Sequence, residues 1–121
     1  MQDIENSDDI KLLIDTFYGK VKEDDLIGYI FNDIAQVDWP HHLPKMYAFW
    51  EFLLFGKDTY TGNPIEPHRK LQQKVRLKEE HFDRWIKLFH ETVDELFKGK
   101  NAEDAKNRSM LIAMTWKPKF G

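Results

Sequence analysis

Apolar residues recur along this chain at helical spacing, and nowhere with the alternation of a half-buried strand. Ile10, Leu13, Ile14, Phe17 and Val21 form one stripe. Ser7, followed by Asp8 and Asp9, supplies an oxygen cap and first-turn acids where the helix macrodipole favours them. Asp24 and Asp25 open a second, short helix through Leu26, Ile27, Ile30 and Phe31, with Gly28 allowing a close approach or a kink. Trp39-Pro40 marks the next start, because proline is well tolerated in a first helical turn, and the pattern predicts a helix over about residues 40–55. Pro44 then has to fall within that first turn. The segment is apolar on nearly every side, as in a helix buried all round. Gly56 ends it, and residues 57–64 carry turn chemistry throughout.

Beyond the loop, a short helix over about residues 65–73 bears His68, and a polar stretch leads onward from residue 74. The longest helix then places Phe82, Trp85, Phe89, Val93 and Leu96 on one face and stops at Gly99. A last helix over about residues 102–116 uses Ala102, Ala105, Ser109 and Ala113, small residues that permit close packing. Without a repeat, a low-complexity tract or an interdomain linker, the expectation is a single all-α domain over residues 1–121.

Composition sharpens this picture. A chain of 121 residues buries roughly two thirds of the surface that it exposes when unfolded. Fourteen per cent aromatic content, with nine Phe and four Trp, is high for that length, so the helices have either a very thick core or something else to wrap. Eighteen basic against 21 acidic residues give a formal charge of −3, which argues against non-specific nucleic-acid binding. The absence of cysteine excludes disulfides, thiolate metal sites and a cysteine nucleophile, and is compatible with a reducing compartment. The N-terminal residues lack the basic and apolar regions of a signal peptide, and the longest apolar stretch is interrupted by Glu51 and too short for a bilayer. The expectation is a soluble cytoplasmic protein with no membrane or nucleic-acid partner. Modest charge and the lack of heptads point to a monomer.

Two of the five histidines stand out. His42, Met46, Phe49 and Leu53 fall on one continuous helical stripe, which makes His42, rather than its neighbour His41, the inward member. A polar group opening an apolar stripe must find a partner or face a cavity. One reading is a core-edge histidine bonded to a backbone carbonyl; the other is a group over the open face of a cofactor. His68 lies just past a loop that can turn the chain back, so the two imidazoles suit a flat apolar cofactor with an axial position on each face, for which haem is the obvious candidate. Tyr18 and Trp85 add two donors that need partners when buried. His81 and His90 point to opposite sides of one helix and cannot share a metal within the chain; His90 and Asp94, four apart, are spaced for an exposed pair. From spacing alone both readings of His42 stay open.

The motifs add a resemblance. Phe17-Tyr18-Gly19-Lys20-Val21, Asp25-Leu26-Ile27-Gly28-Tyr29-Ile30-Phe31 and Trp39-Pro40-His41-His42-Leu43-Pro44-Lys45-Met46-Tyr47, followed by Phe49-Trp50, resemble the opening of a group III truncated haemoglobin. Tyr60-Thr61-Gly62-Asn63-Pro64 with His68 resembles that family's proximal segment. His81-Phe82-Asp83-Arg84-Trp85 and Thr92-Val93-Asp94-Glu95-Leu96-Phe97 resemble the family's next stretch of chain. The similarity runs from about residue 10 to residue 113. Tyr29 departs from it, standing where many relatives have proline, and so does the doubled histidine.

The resemblance implies a truncated globin, a two-over-two helical sandwich around haem b. It makes His68 the proximal iron ligand, with His42, Tyr18 and Trp85 as the distal groups that stabilise a bound ligand. Met46 and Phe49 would line the distal cavity, and Trp50, Leu71 and Phe82 would contact the haem or its pocket. Arg69, Lys70, Lys74 and Arg76 are bases available to the propionates. The implied function is reversible binding of dioxygen, nitric oxide or another diatomic ligand at a five-coordinate iron. Several distal donors favour redox chemistry over transport, as a dioxygenase or peroxidase supplied by an external reductase. A haem-based sensor and a cofactor-free helical interaction module are the alternatives.

Overall fold

The computed structural model describes residues 1–34, 36–57 and 78–120, with side chains as far as residue 114. The predicted short helix around residues 65–73, most of the preceding loop and the bases between Arg69 and Arg76 lie outside the described residues. The described elements are α1 (Ser7–Glu23), a five-residue π-helical segment (Ile30–Ile34), α2 (Trp39–Phe55), α3 (Glu79–Leu96) and α4 (Lys100–Phe120). No strand occurs among the described residues.

Helix α1 starts one residue earlier in its capping than the sequence suggests. Asn6, extended at φ −152° and ψ 178°, is the cap: its Oδ1 accepts from the Asp9 amide at 2.9 Å. Ser7 becomes the first helical residue, and its hydroxyl accepts from Lys57 Nζ at 3.1 Å. Ile10, Leu13, Ile14, Phe17, Tyr18 and Val21 are buried, which is the expected stripe plus Tyr18.

The expected second helix starts later than Asp24: a tight turn over residues 25–27 leads into a short helical run over residues 28–34, whose last five residues are π-helical. Asp24 captures the amides of Leu26 and Ile27, each at 3.0 Å from Oδ2, and so diverts donors away from a regular helix. Gly28 packs directly on the end of α1, where a Cβ would sit 2.9 Å from the Lys22 carbonyl oxygen and 3.0 Å from that of Val21. The sequence-level reading of Gly28 as a close-approach residue holds.

Helix α2 begins at Trp39, with Pro40 in its first turn. Pro44, expected in that turn, lies beyond it, inside the helix. Its ring removes a single donor, the one that would have reached the Pro40 carbonyl, and the helix continues through it. Gly56 closes α2 in the left-handed region at φ 68°, its amide donating to the Phe52 carbonyl and that of Lys57 to Glu51.

The longest described helix is α4, with 21 residues against 18 in α3, the reverse of the expected order. Helix α3 is opened by His81, whose Nδ1 accepts from the Lys78 amide at 2.9 Å. That buried imidazole has a structural task. Helix α4 is opened from a distance. Asp3 accepts from the amides of Asn101 at 2.9 Å and Ala102 at 2.8 Å, while the Asn101 side chain donates to the Ile4 carbonyl at 2.7 Å. Gly99, at φ 150°, makes room for this, since a Cβ there would sit 2.5 Å from the Asp3 carboxyl carbon.

Helix α1 packs against both α2 and α3, α3 packs against α4, and α4 reaches α2 over a smaller area. Ala102, Ala105, Ser109 and Ala113 are all buried on the α4 face. Two ion pairs lock the edges, Lys20–Glu95 at 2.6 Å and Lys106–Asp94 at 2.8 Å. Asp94 is therefore committed to Lys106 and not to His90, whose Nε2 lies 3.1 Å from both the Lys106 carbonyl and the Ser109 hydroxyl.

Burial alone would raise the Asp3 carboxyl, but the amides of Asn101, Ala102, Ile4 and Lys100 outweigh it and hold the group below its ordinary value. A lowered carboxylate stabilises the fold above its unfolded pKa of about 3.9, and that contribution fades as pH falls through the folded value. Asp3→Ala is expected to cost about 1 kcal/mol at pH 7, as removal of a helix cap does. In urea titrations the gap between wild type and variant should shrink at pH 3.

Candidate functional site

The seam between α1 and α2 gathers the site. Tyr18 is buried on α1, next to Phe17, which belongs to the core. Facing it from α2 come Trp39 and His42. The Tyr18 ring centroid lies 5.6 Å from that of His42, at an interplanar angle of 79°, and 5.3 Å from that of Trp39. Trp39 and His42 are themselves 5.8 Å apart and edge-on. Phe31, from the π-helical segment, stacks on Trp39 at 6.2 Å. His41 is exposed and His42 half-buried, so His42 is the inward member of the pair, as its stripe requires.

Burial pushes the Tyr18 phenol well above its ordinary value, so the group remains a neutral O–H donor at any working pH. Met46 and Phe49 continue the His42 stripe and are half-buried against the core. Trp50 is fully inside, stacked on Phe89 at 4.8 Å, and Phe82 is buried as well. Trp85 stands one ring away from Tyr18: it meets Phe17 edge-on at 5.7 Å and stacks on Phe89 at 5.9 Å. His68 and Leu71 lie outside the described residues.

Trp39 is the residue that reasoning from sequence read only as a helix start. Its signal was available, because Trp39 and His42 are three apart on α2 and share a side, just as Tyr18 and Lys22 do on α1. The Lys22 ammonium sits 4.5 Å from the Trp39 ring centroid.

Helix α2 tests whether a flat apolar group fits here. Its sequence is that of a helix buried all round, yet Trp50 is its one fully buried residue. Leu43, Met46, Phe49 and Leu53 are half-buried, and Phe52 is exposed. A greasy helix face left partly open beside two polar ring donors is suited to an apolar ligand with a polar reacting centre. Among the described residues no group of three or more His, Asp or Glu could hold a bare metal ion, and no helix is long and apolar enough to cross a membrane.

Comparison with known proteins agrees with this geometry. The family model of bacterial-like globins matches residues 2–116. The group 3 truncated hemoglobin ctb of Campylobacter jejuni is 31% identical over 111 residues, covering 89% of this chain and 85% of the relative. The group 1 truncated hemoglobin GlbN of Synechocystis is 35% identical over 75 residues, 61% of this chain and 58% of that protein. The crystal structure of the group III truncated hemoglobin from Campylobacter jejuni superposes with a TM-score of 0.83 at 29% identity, covering all of this chain and 96% of that one. The chain belongs to the bacterial-like globins, with the all-α fold of a truncated haemoglobin of group III. Membership of a globin family implies haem binding.

On the outer side of the same seam, the Tyr47 hydroxyl donates to Asp15, with the Lys11 ammonium near the Tyr47 ring. Desolvation first, then the Asp15 hydrogen bond and charge, push the Tyr47 phenol up to about 12. A raised phenol stabilises the fold below its unfolded value of about 10 and loses that contribution as pH rises through 12. Ultraviolet titration should show one tyrosine ionising near pH 12 that disappears in Tyr47→Phe and moves down in Asp15→Asn.

Proposed function

We propose that this chain binds haem b along the half-open face of α2, with His68 as the axial ligand and Tyr18 and His42 over the opposite face. The observation that carries the reading is the Tyr18–His42 pair, two polar rings 5.6 Å apart at the edge of an apolar helix face. Family membership supports it, and so does the resemblance of the Tyr60-to-His68 segment to a proximal region. When bound, haem supplies an iron with one axial position open to a diatomic ligand.

The residues do the rest. Tyr18 offers a phenol O–H whose proton is held by burial, and His42 offers an imidazole from the facing helix. Donors fixed in a dry site stabilise negative charge on a ligand without reorganising when it forms. Met46 and Phe49 exclude water from the same face. Trp85 is the third donor implied by the resemblance; its ring is packed on Phe17 and Phe89, so Tyr18 and His42 carry the first interactions. His68 would hand its second ring N–H to a carbonyl or water, which fixes the ring and its basicity.

Two donors retain dioxygen or nitric oxide firmly, which suits oxygen-dependent redox chemistry better than delivery. Turnover as a dioxygenase or peroxidase would draw electrons from a separate reductase. We read the protein as a cytoplasmic monomer that meets its ligand by diffusion.

An absorption spectrum of purified protein reconstituted with haem tests the core of the proposal. A Soret band at one haem per chain is expected, and a colourless, folded protein would sink the reading in favour of a cofactor-free helical module. His68→Gly should lose haem or retain it only with added imidazole, whereas the same change at His81 or His90 should leave haem content unaltered. Tyr18→Phe should speed dissociation of dioxygen about tenfold in flash photolysis, the factor expected for one hydrogen bond of about 1–2 kcal/mol. A dissociation rate in wild type as fast as that of a carrier globin would overturn the preference for redox chemistry.

A further inference from the structure

Tyr18 and Lys22 stand one turn apart on α1, and Trp39 and His42 nearly one turn apart on α2, so two pairs face each other across the seam. Trp39 is the member that touches all the others. Its ring meets Tyr18 at 5.3 Å and His42 at 5.8 Å, lies under the Lys22 ammonium at 4.5 Å, and is backed by Phe31 at 6.2 Å. The backbone gives this ring a second task. Asp38, at the cap position of α2, makes no side-chain capping bond, so the ring itself anchors the first turn of α2 against α1.

We infer that Trp39, clamped by Lys22, is the positioning residue of the distal pair. It holds the His42 imidazole and the Tyr18 phenol in one relative arrangement, and so sets how readily a small ligand enters and how firmly it is kept. The inference rests on the haem-binding reading, because it concerns the two donors which that reading assigns to the ligand.

The physical argument is one of rotamers. A histidine side chain has several staggered positions, and only some direct a ring N–H towards the Tyr18 side. The Trp39 indole, edge-on to the imidazole at 5.8 Å, disfavours those that would overlap it. Lys22 is itself exposed, so its contact with the Trp39 face falls in the weaker range of cation–π interactions, equivalent to a factor of about two to five in population. The clamp therefore biases the distal arrangement without freezing it, as a port for ligand entry requires.

The test uses the haem-loaded protein carrying carbon monoxide, with three variants. Trp39→Leu removes the indole, Trp39→Phe keeps a ring, and Lys22→Met keeps the aliphatic stem while removing the charge. Wild type is expected to show one dominant C–O stretching band. Trp39→Leu should show several bands and faster association and dissociation after flash photolysis, and Trp39→Phe should restore most of the single-band pattern. Lys22→Met should move both rates in the same direction by about two- to fivefold. A plain packing role for Trp39 would lower the urea midpoint and leave bands and rates where they were; that result overturns the inference. If Trp39→Leu fails to fold, Lys22→Met decides alone, and unchanged rates in it have the same consequence. A wild-type chain with no Soret band defeats the haem reading and this inference together, and is distinguished by failing before any variant is made.

Discussion

Phe89 is the ring on which three helices meet, and the rest of the molecule is arranged by that contact. From α1, Phe17 approaches edge-on at 5.1 Å; from α2, Trp50 stacks at 4.8 Å; and on its own helix, Trp85 stacks at 5.9 Å one turn earlier. Aromatic pairs contribute beyond their buried area and only in offset or edge-on geometries, so three such contacts fix orientation as well as distance. Truncating a ring of this kind typically costs about 3–5 kcal/mol, a large part of the roughly 5–15 kcal/mol that stabilises a small domain. The abundance of aromatic residues thus has two uses. One set fills the interior around Phe89, and the other, Tyr18, Trp39, Phe31 and His42, lines the α1–α2 seam.

The junction between the two sets is the dipeptide Phe17-Tyr18. Adjacent helix positions point about 100° apart, so a Phe17 locked into the core leaves Tyr18 a single direction, towards the first turn of α2. Because Phe17 is pinned by Phe89 and Trp85, the Tyr18 phenol inherits the rigidity of the core although it belongs to the site. A hydrogen-bond donor is most effective when it is placed in advance, and here the placement comes from packing two residues deep.

Much of this was legible in the sequence, for reasons that differ between residues. The stripes of α1 and α3 showed in their 3.6-residue periodicity because each packs one face, and the His42 stripe picked the inward histidine of a doubled pair. The small residues of α4 announced close packing and are buried. Some misreadings came from contacts that span the chain or from competition for a single cap. Nothing near Ala102 reveals that its helix is capped by Asp3, almost a hundred residues away, and Asn6 could be chosen over Ser7 only by seeing which was extended. Asp94 and His90 have compatible spacing, but each finds a better partner on α4. Trp39 was missed because a tryptophan before a proline reads as punctuation, and its neighbours Tyr18 and Lys22 come from a different helix.

The helices are unequally anchored, and that inequality shapes the site. Helix α1 is capped by Asn6, α3 by the His81 ring and α4 by Asp3, whereas α2 starts without a side-chain cap and carries Pro44 within it. Missing cap bonds and an interrupted hydrogen-bond ladder place a segment towards the low end of local stability. The two facing rings are therefore mounted differently: Tyr18 on a helix opened by a side-chain cap, and His42 near the start of one whose cap residue makes no such bond. The ring of Trp39 packs beside both, 5.3 Å from Tyr18 and 5.8 Å from His42, and so ties the first turn of α2 to α1.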